Sequence, residues 1–165
     1  MKRFRNAVTA GAAIAALLMV TPSQALQKKQ PSAQSSKQNL ADKKVHRLIL
    51  QVNTNDPATM NLALNNATNV AQYYNDLFEK VSIEVVTYGP GLHMLRDDTS
   101  PVKARIKSIK QSTPEISFKA CGNTQENMSK AENKPIPIIP EATVVSSGVV
   151  RVMELQEQGW SYVKP

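Results

Sequence analysis

Apolar positions along residues 45–165 follow two alternating rhythms. Residues 48–52, Leu-Ile-Leu-Gln-Val, make a short, nearly continuous apolar run of the kind that buried parallel strands show. Asp56-Pro57 then supplies a helix N-cap and a first-turn proline. Behind them Met60, Ala63, Leu64, Ala67, Val70, Ala71, Tyr74, Leu77 and Phe78 recur at intervals of three and four, which predicts an amphipathic helix with these side chains on one stripe. Residues 81–88 are rich in β-branched side chains and predict a second strand, closed by Gly89-Pro90-Gly91. A short amphipathic helix over 101–111, carrying Val102, Ile106 and Ile109, precedes a third strand at 116–120.

The same alternation continues to the end of the sequence. Residues 122–131 predict a helix, 134–141 a proline-rich loop, and 143–145 a fourth strand. Ser146 or Ser147 caps a last helix running to Gln158, Gly159 fits its left-handed C-terminal position, and 160–163 predict a fifth strand. Strands that alternate with helices call for a parallel sheet with helices on its faces. The fold class expected is therefore α/β, flavodoxin-like in outline, with one core and no internal repeat.

The first 44 residues belong to a different regime. Lys2, Arg3 and Arg5 precede an apolar stretch over 7–20, Pro22 breaks it, and Ser23-Gln24-Ala25 places small residues where a signal peptidase cuts. Residues 1–25 read as a secretory signal peptide. The run is shorter than the ~20 residues a membrane span needs, so export to the periplasm is expected, with no stable membrane insertion once the leader is removed. Residues 26–44, rich in Gln, Ser and Lys, read as a flexible polar and basic linker.

Dividing the charge along the chain changes what it means. The formal net charge is +7, but three basic residues leave with the leader, and the linker sets five lysines against Asp42. Residues 45–165 hold 12 basic and 12 acidic side chains, so overall charge gives no argument for a nucleic-acid partner. Aromatic residues are only 5% of the chain, too few for the stacking platforms of single-strand binders.

One cysteine, Cys121, cannot form an internal disulfide, and an unpaired thiol in an oxidising compartment asks for a reason. Cys121 falls where the third strand ends and a helix begins. Ligands of open parallel sheets bind at the carboxyl ends of strands, and a helix N-terminus stabilises a thiolate. The candidate binding residues are accordingly Asn53 after the first strand, Gly89 and Gly91 after the second, and Gly122, Asn123 and Thr124 after the third, with Cys121 as nucleophile. His93 lies in a strand-end loop and is the candidate base or charge partner. His46 begins the first strand and reads as structural. Gly89-Pro90-Gly91 lacks the third glycine of a dinucleotide fingerprint and the lysine of a P-loop, and no spacing of Cys, His and carboxylates suggests a metal site or a cofactor. Asn61, Asn65, Asn66, Asn69 and Asn75 crowd the outer face of the first helix, where amides favour contact with a neighbour or a second subunit, or simply a solvated face.

Four segments in chain order together resemble the DsrE/DsrF-like family, especially its small single-domain members. They are Ala63-Leu64-Asn65-Asn66-Ala67-Thr68-Asn69, residues 83–92 from Ile83 through Tyr88-Gly89-Pro90-Gly91-Leu92, Phe118-Lys119-Ala120-Cys121-Gly122-Asn123-Thr124, and residues 148–165 with Gly159-Trp160-Ser161-Tyr162 near their end. The resemblance implies a three-layer α/β/α sandwich on a five-stranded sheet, assembled as a homo-oligomer, a trimer or hexamer. It also implies a sulfur relay in which Cys121 carries a persulfide, taken from a sulfur-donor protein and handed to an acceptor protein or small thiol. Tyr88 stands where many relatives carry histidine before the Gly-Pro-Gly turn, which leaves His93 as the substitute. The alternative reading is a non-catalytic oligomeric binding protein that keeps the fold without the chemistry.

Overall fold

The computed structural model describes residues 44–165; the leader and all but the last residue of the linker lie outside the described residues. Five strands, β1 (Val45–Val52), β2 (Lys80–Thr87), β3 (Ile116–Cys121), β4 (Ala142–Val145) and β5 (Ser161–Val163), form one parallel sheet in the order β4-β3-β2-β1-β5. Between them run α1 (Pro57–Asp76), a 3₁₀ helix (Gly89–Leu95), α2 (Lys103–Ser112), α3 (Gly122–Glu132) and α4 (Gly148–Glu157).

This order decides which helix covers which face. Three successive crossovers step in one direction from β1 to β4, and right-handed connections carry all three over the same face. The last crossover returns past β1 to β5, so the same handedness sends α4 to the opposite face. Packing agrees with that. The large core joins Leu48, Leu50, Val52, Ile83, Val85 and Phe118 of the sheet to Met60 and Leu64 of α1, Ile106 of α2 and Leu92 of the 3₁₀ helix, with Met128 of α3 against it. The other face has a small cluster, Ile49 and Val86 under Val152 and Leu155 of α4. The result is the expected three layers, with one layer a single helix.

The first helix begins as expected, with the Asp56 carboxylate accepting from the N–H groups of Ala58 and Thr59 at 3.1 and 2.9 Å. Its core stripe is shorter than its sequence period. Leu77 and Phe78 are 50% and 84% exposed, because the helix stops at Asp76 and Phe78 turns left-handed at φ 54°. Phe78 N–H donates to Asn75 O and Glu79 N–H to Tyr74 O, the paired bonds of a Schellman ending, here with Phe in the place glycine usually takes. The amide-rich face is partly used inside the chain: the Asn61 and Asn65 side chains both accept from the Arg105 guanidinium of α2.

Arg96 fastens the 3₁₀ helix to α3. It is 1% exposed, donates to both Asp98 oxygens at 2.9 and 2.8 Å, and reaches Glu132 at the end of α3 at 2.9 Å. Its hydrogen bonds hold the Asp98 carboxyl far below the ordinary value of 3.8 and bring Glu132 from 4.5 to about 2. Groups depressed by folding stabilise the fold above their unfolded values and stop doing so as pH falls through the folded ones. The urea midpoint is therefore expected to fall as pH drops from above 4.5 toward 2. Arg96→Met should lower the midpoint at neutral pH and flatten this acid limb; an unchanged limb would mean the cluster does not contribute.

Candidate functional site

Cys121 is the last residue of β3 and the N-cap residue of α3, with extended backbone at φ −72° and ψ 116°. Its strand partner is Val145, the last residue of β4, so the turns after the two strands lie side by side. From there α3 leaves for the large core and α4 for the opposite face. Adjacent connections that part to opposite faces open a crevice at the carboxyl ends of their strands, which is where such sheets bind ligands.

Two helix starts converge there on the Cys121 sulfur. Burial raises the thiol pKa. The Thr124 hydroxyl and the backbone N–H groups of Gly148, Thr124 and Asn123 surround the sulfur with partial positive charge that favours the anion and more than offsets burial, leaving the pKa below that of an ordinary cysteine. A second hydrogen bond orients the Thr124 hydroxyl, whose oxygen accepts the Gly89 N–H at 3.0 Å and so leaves its own hydrogen for the sulfur. The Asn123 N–H is placed by its donation to Ser146 O at 3.1 Å, and Ser147 caps α4 by accepting from Val150 N–H at 3.5 Å.

Gly148 makes the close approach possible. A Cβ at that position would lie 3.0 Å from a ring carbon of Tyr88 and 3.2 Å from the Cys121 Cβ. The Arg151 guanidinium grips the buried Glu84 of β2 at 2.9 and 2.6 Å, which fixes the first turn of α4 against the sheet. Tyr88 packs beside the same glycine. Its hydroxyl is raised first by burial, then by Tyr162 and Cys121, and Tyr162 in turn bonds the buried Gln51.

The sequence-predicted residues divide into groups. Cys121, Gly122, Asn123, Thr124 and Gly89 come together around the sulfur, Gly89 by way of Thr124. His93 does not join them. Its Nδ1 pairs with Thr99 Oγ1 at 2.9 Å, and its ring lines a separate cavity of about 450 Å³ with Asn55, Gly89, Pro90 and Asn127. Thr124 is the residue common to that cavity and to the sulfur's contacts. Gly91 is buried against the end of β1, where it packs on Val52 and Asn53. Asn53 is half-buried there, and Asn55 faces the His93 cavity. Cys121 itself is 4% exposed. Among the described residues no group of three or more His, Cys, Asp or Glu is placed to hold a metal ion, and no helix is long and apolar enough to cross a membrane.

No protein-family model matches the chain, and no curated protein matches it. Among solved structures, the protein of unknown function MTH1491 from Methanobacterium thermoautotrophicum is 30% identical, with a TM-score of 0.60 over 73% of this chain and 99% of that one. The chain belongs to the family of that protein. The likeness covers 99% of MTH1491, which shares the α/β fold.

The sequence places the thiol on one helix start and leaves the second unseen. The signal is present in Ser147-Gly148, a capping residue followed by a residue without a side chain. Its use requires knowing that β4 lies next to β3. Tyr88 stands out in the sequence only as a departure from a pattern, whereas in the fold it forms one wall of the crevice.

Proposed function

We propose that Cys121 carries sulfur as a persulfide, making the protein a sulfur carrier or sulfurtransferase of the DsrE/DsrF-like kind, exported to the periplasm by the leader at residues 1–25. The supporting observation is the convergence of two helix starts and the Thr124 hydroxyl on one sulfur at the strand ends, which lowers the thiol pKa despite burial. Such an arrangement favours thiolate over thiol, and thiolate is the nucleophile. The Cys121 thiolate attacks the outer sulfur of a donor persulfide, R–S–SH. The donor's S–S bond breaks, its thiolate leaves, and Cys121 holds the S–SH group. An acceptor thiolate then attacks that outer sulfur, and Cys121 returns as thiolate to the same polar surroundings. With no second cysteine in the chain, the sulfur leaves to an external thiol or to another subunit.

Intact-mass spectrometry tests this directly. The folded protein should gain the mass of one sulfur from a small persulfide donor and lose it to a small thiol. A second reading, a non-catalytic binding protein, draws on the 4% exposure of Cys121. It becomes the better account if only the denatured protein accepts sulfur.

Assembly belongs to the same proposal. Val149, Val150 and Met153 on the outer side of α4 are 50%, 47% and 55% exposed and lie beside the cysteine crevice. A trimer or hexamer would cover apolar surface of this kind. Light scattering at micromolar concentration is expected to give a multiple of the chain mass, and a monomer would remove assembly from the proposal.

A further inference from the structure

A second cavity, of about 350 Å³, lies at the opposite end of the sheet from Cys121. Its origin is topological. β5 begins opposite Leu48, so among the described residues no strand lies beside the outer edge of β1 at His46 and Arg47, and a notch remains between that edge, α1 and the start of β5. Residues far apart in sequence meet there, among them Arg47, Asn69, Val70, Tyr73, Tyr74 and Ser161.

The walls are aromatic and ordered. The His46 ring stacks on Tyr74 with centroids 3.7 Å apart at 14°, and its Nε2 lies 2.7 Å from Glu79 Oε2. Tyr73 meets Tyr74 edge to face at 5.2 Å and 83°, yet is 61% exposed, so this corner presents a ring surface to solvent. His46 occupies Glu79, the nearby carboxylate. Arg47 forms no ion pair or hydrogen bond through its side chain among the described residues, and the same holds for the Asn69 amide and the Ser161 hydroxyl.

We infer that this notch is a binding site for a small planar aromatic carboxylate. The exposed tyrosine corner matches a flat ring, for which offset or edge contacts are favourable. A single guanidinium matches a single carboxylate, which it binds as a two-pronged fork. Asn69 and Ser161 supply further polar contacts at the rim. The volume suits a ring system with one acidic substituent, at the lower end of the usual range for small-molecule pockets. The site stands apart from Cys121 and does not depend on sulfur chemistry.

Naphthoate is a suitable probe, titrated into the full-length chain and followed by amide NMR shifts. Saturable shifts are expected at residues 46–48, 69–74 and 161. Naphthamide, which keeps the ring and loses the charge, should bind about tenfold more weakly or worse, as should naphthoate on Arg47→Gln. The saturated bicyclic carboxylate, which keeps the charge and loses planarity, should also bind more weakly, as should naphthoate on Tyr73→Ala. Sulfur uptake at Cys121 should be unchanged in both variants. Equal binding of the amide, equal binding by Arg47→Gln, equal binding of the saturated acid, or shifts centred elsewhere would each overturn the assignment.

Discussion

Cys121→Ser is expected to abolish sulfur uptake altogether, because no other thiol exists in the chain to accept it. The fold should persist. A serine oxygen at the same position can accept up to two hydrogen bonds from the polar groups that face the sulfur, and the Asn123 N–H keeps Ser146 O as its acceptor. The stability cost should be about 1 kcal/mol or less, within the ordinary range for a change that creates neither a cavity nor an unpaired group. Urea unfolding and intact-mass measurements on the same sample check both halves of the expectation. A Cys121→Ser protein that still takes up removable sulfur would end the carrier proposal.

Gly91→Ala is expected to have the largest effect on stability of any conservative change near the site. An added Cβ would stand 2.2 Å from the Val52 carbonyl oxygen and 2.8 Å from Asn53 Cα, and both are backbone atoms that cannot swing aside. The 3₁₀ helix would have to lift off the end of β1, breaking the packing of Leu92, Met94 and Leu95 in the large core. Overpacking typically costs about 1 to 3 kcal/mol, and contact with backbone that cannot move puts this site at the upper end. Gly89→Ala makes the informative contrast. Nothing lies within 4 Å of a Cβ there, and the only strain comes from its φ of 52°. Comparable urea midpoints for the two variants would show that contact with β1 is not what requires glycine at position 91.

Much of the fold can be read from local chemistry. The Asp56-Pro57 start, the interval pattern of α1, the β-branched run of β2 and the Ser147 to Gly159 frame of α4 are each written within a few residues, and each appears where its pattern indicates. Sequence and structure part where a local pattern meets a tertiary need. Leu77 and Phe78 continue the helical interval, yet the chain must turn into β2, and the backbone hydrogen bonds of that turn outweigh burial of two large side chains. The 3₁₀ helix after β2 reads as a turn in the sequence, because Gly-Pro-Gly looks the same at the start of a short helix as it does alone.

The candidate site is half legible for a similar reason. A strand end followed by a helix start is local information, and it singles out Cys121 with Gly122, Asn123 and Thr124. The Gly148 N–H arrives from 27 residues further on, through a sheet order no single segment contains. His93 is attractive in the sequence as the nearest titratable group in a strand-end loop. The structure turns it toward Thr99 and the cavity beyond Thr124, and the sulfur is served by neutral donors.

Sulfur transfer by Cys121 requires those donors to hold it as an anion more readily than water does. The most direct test is the rate at which the folded protein reacts with iodoacetamide as pH is raised, read by intact mass. The half-maximal rate should fall below the free-cysteine value of ~8.5, and Thr124→Val, which removes the hydroxyl donor, should move it upward. A midpoint at or above that of free cysteine, or no reaction until the protein is unfolded, would contradict a thiolate held ready in the crevice.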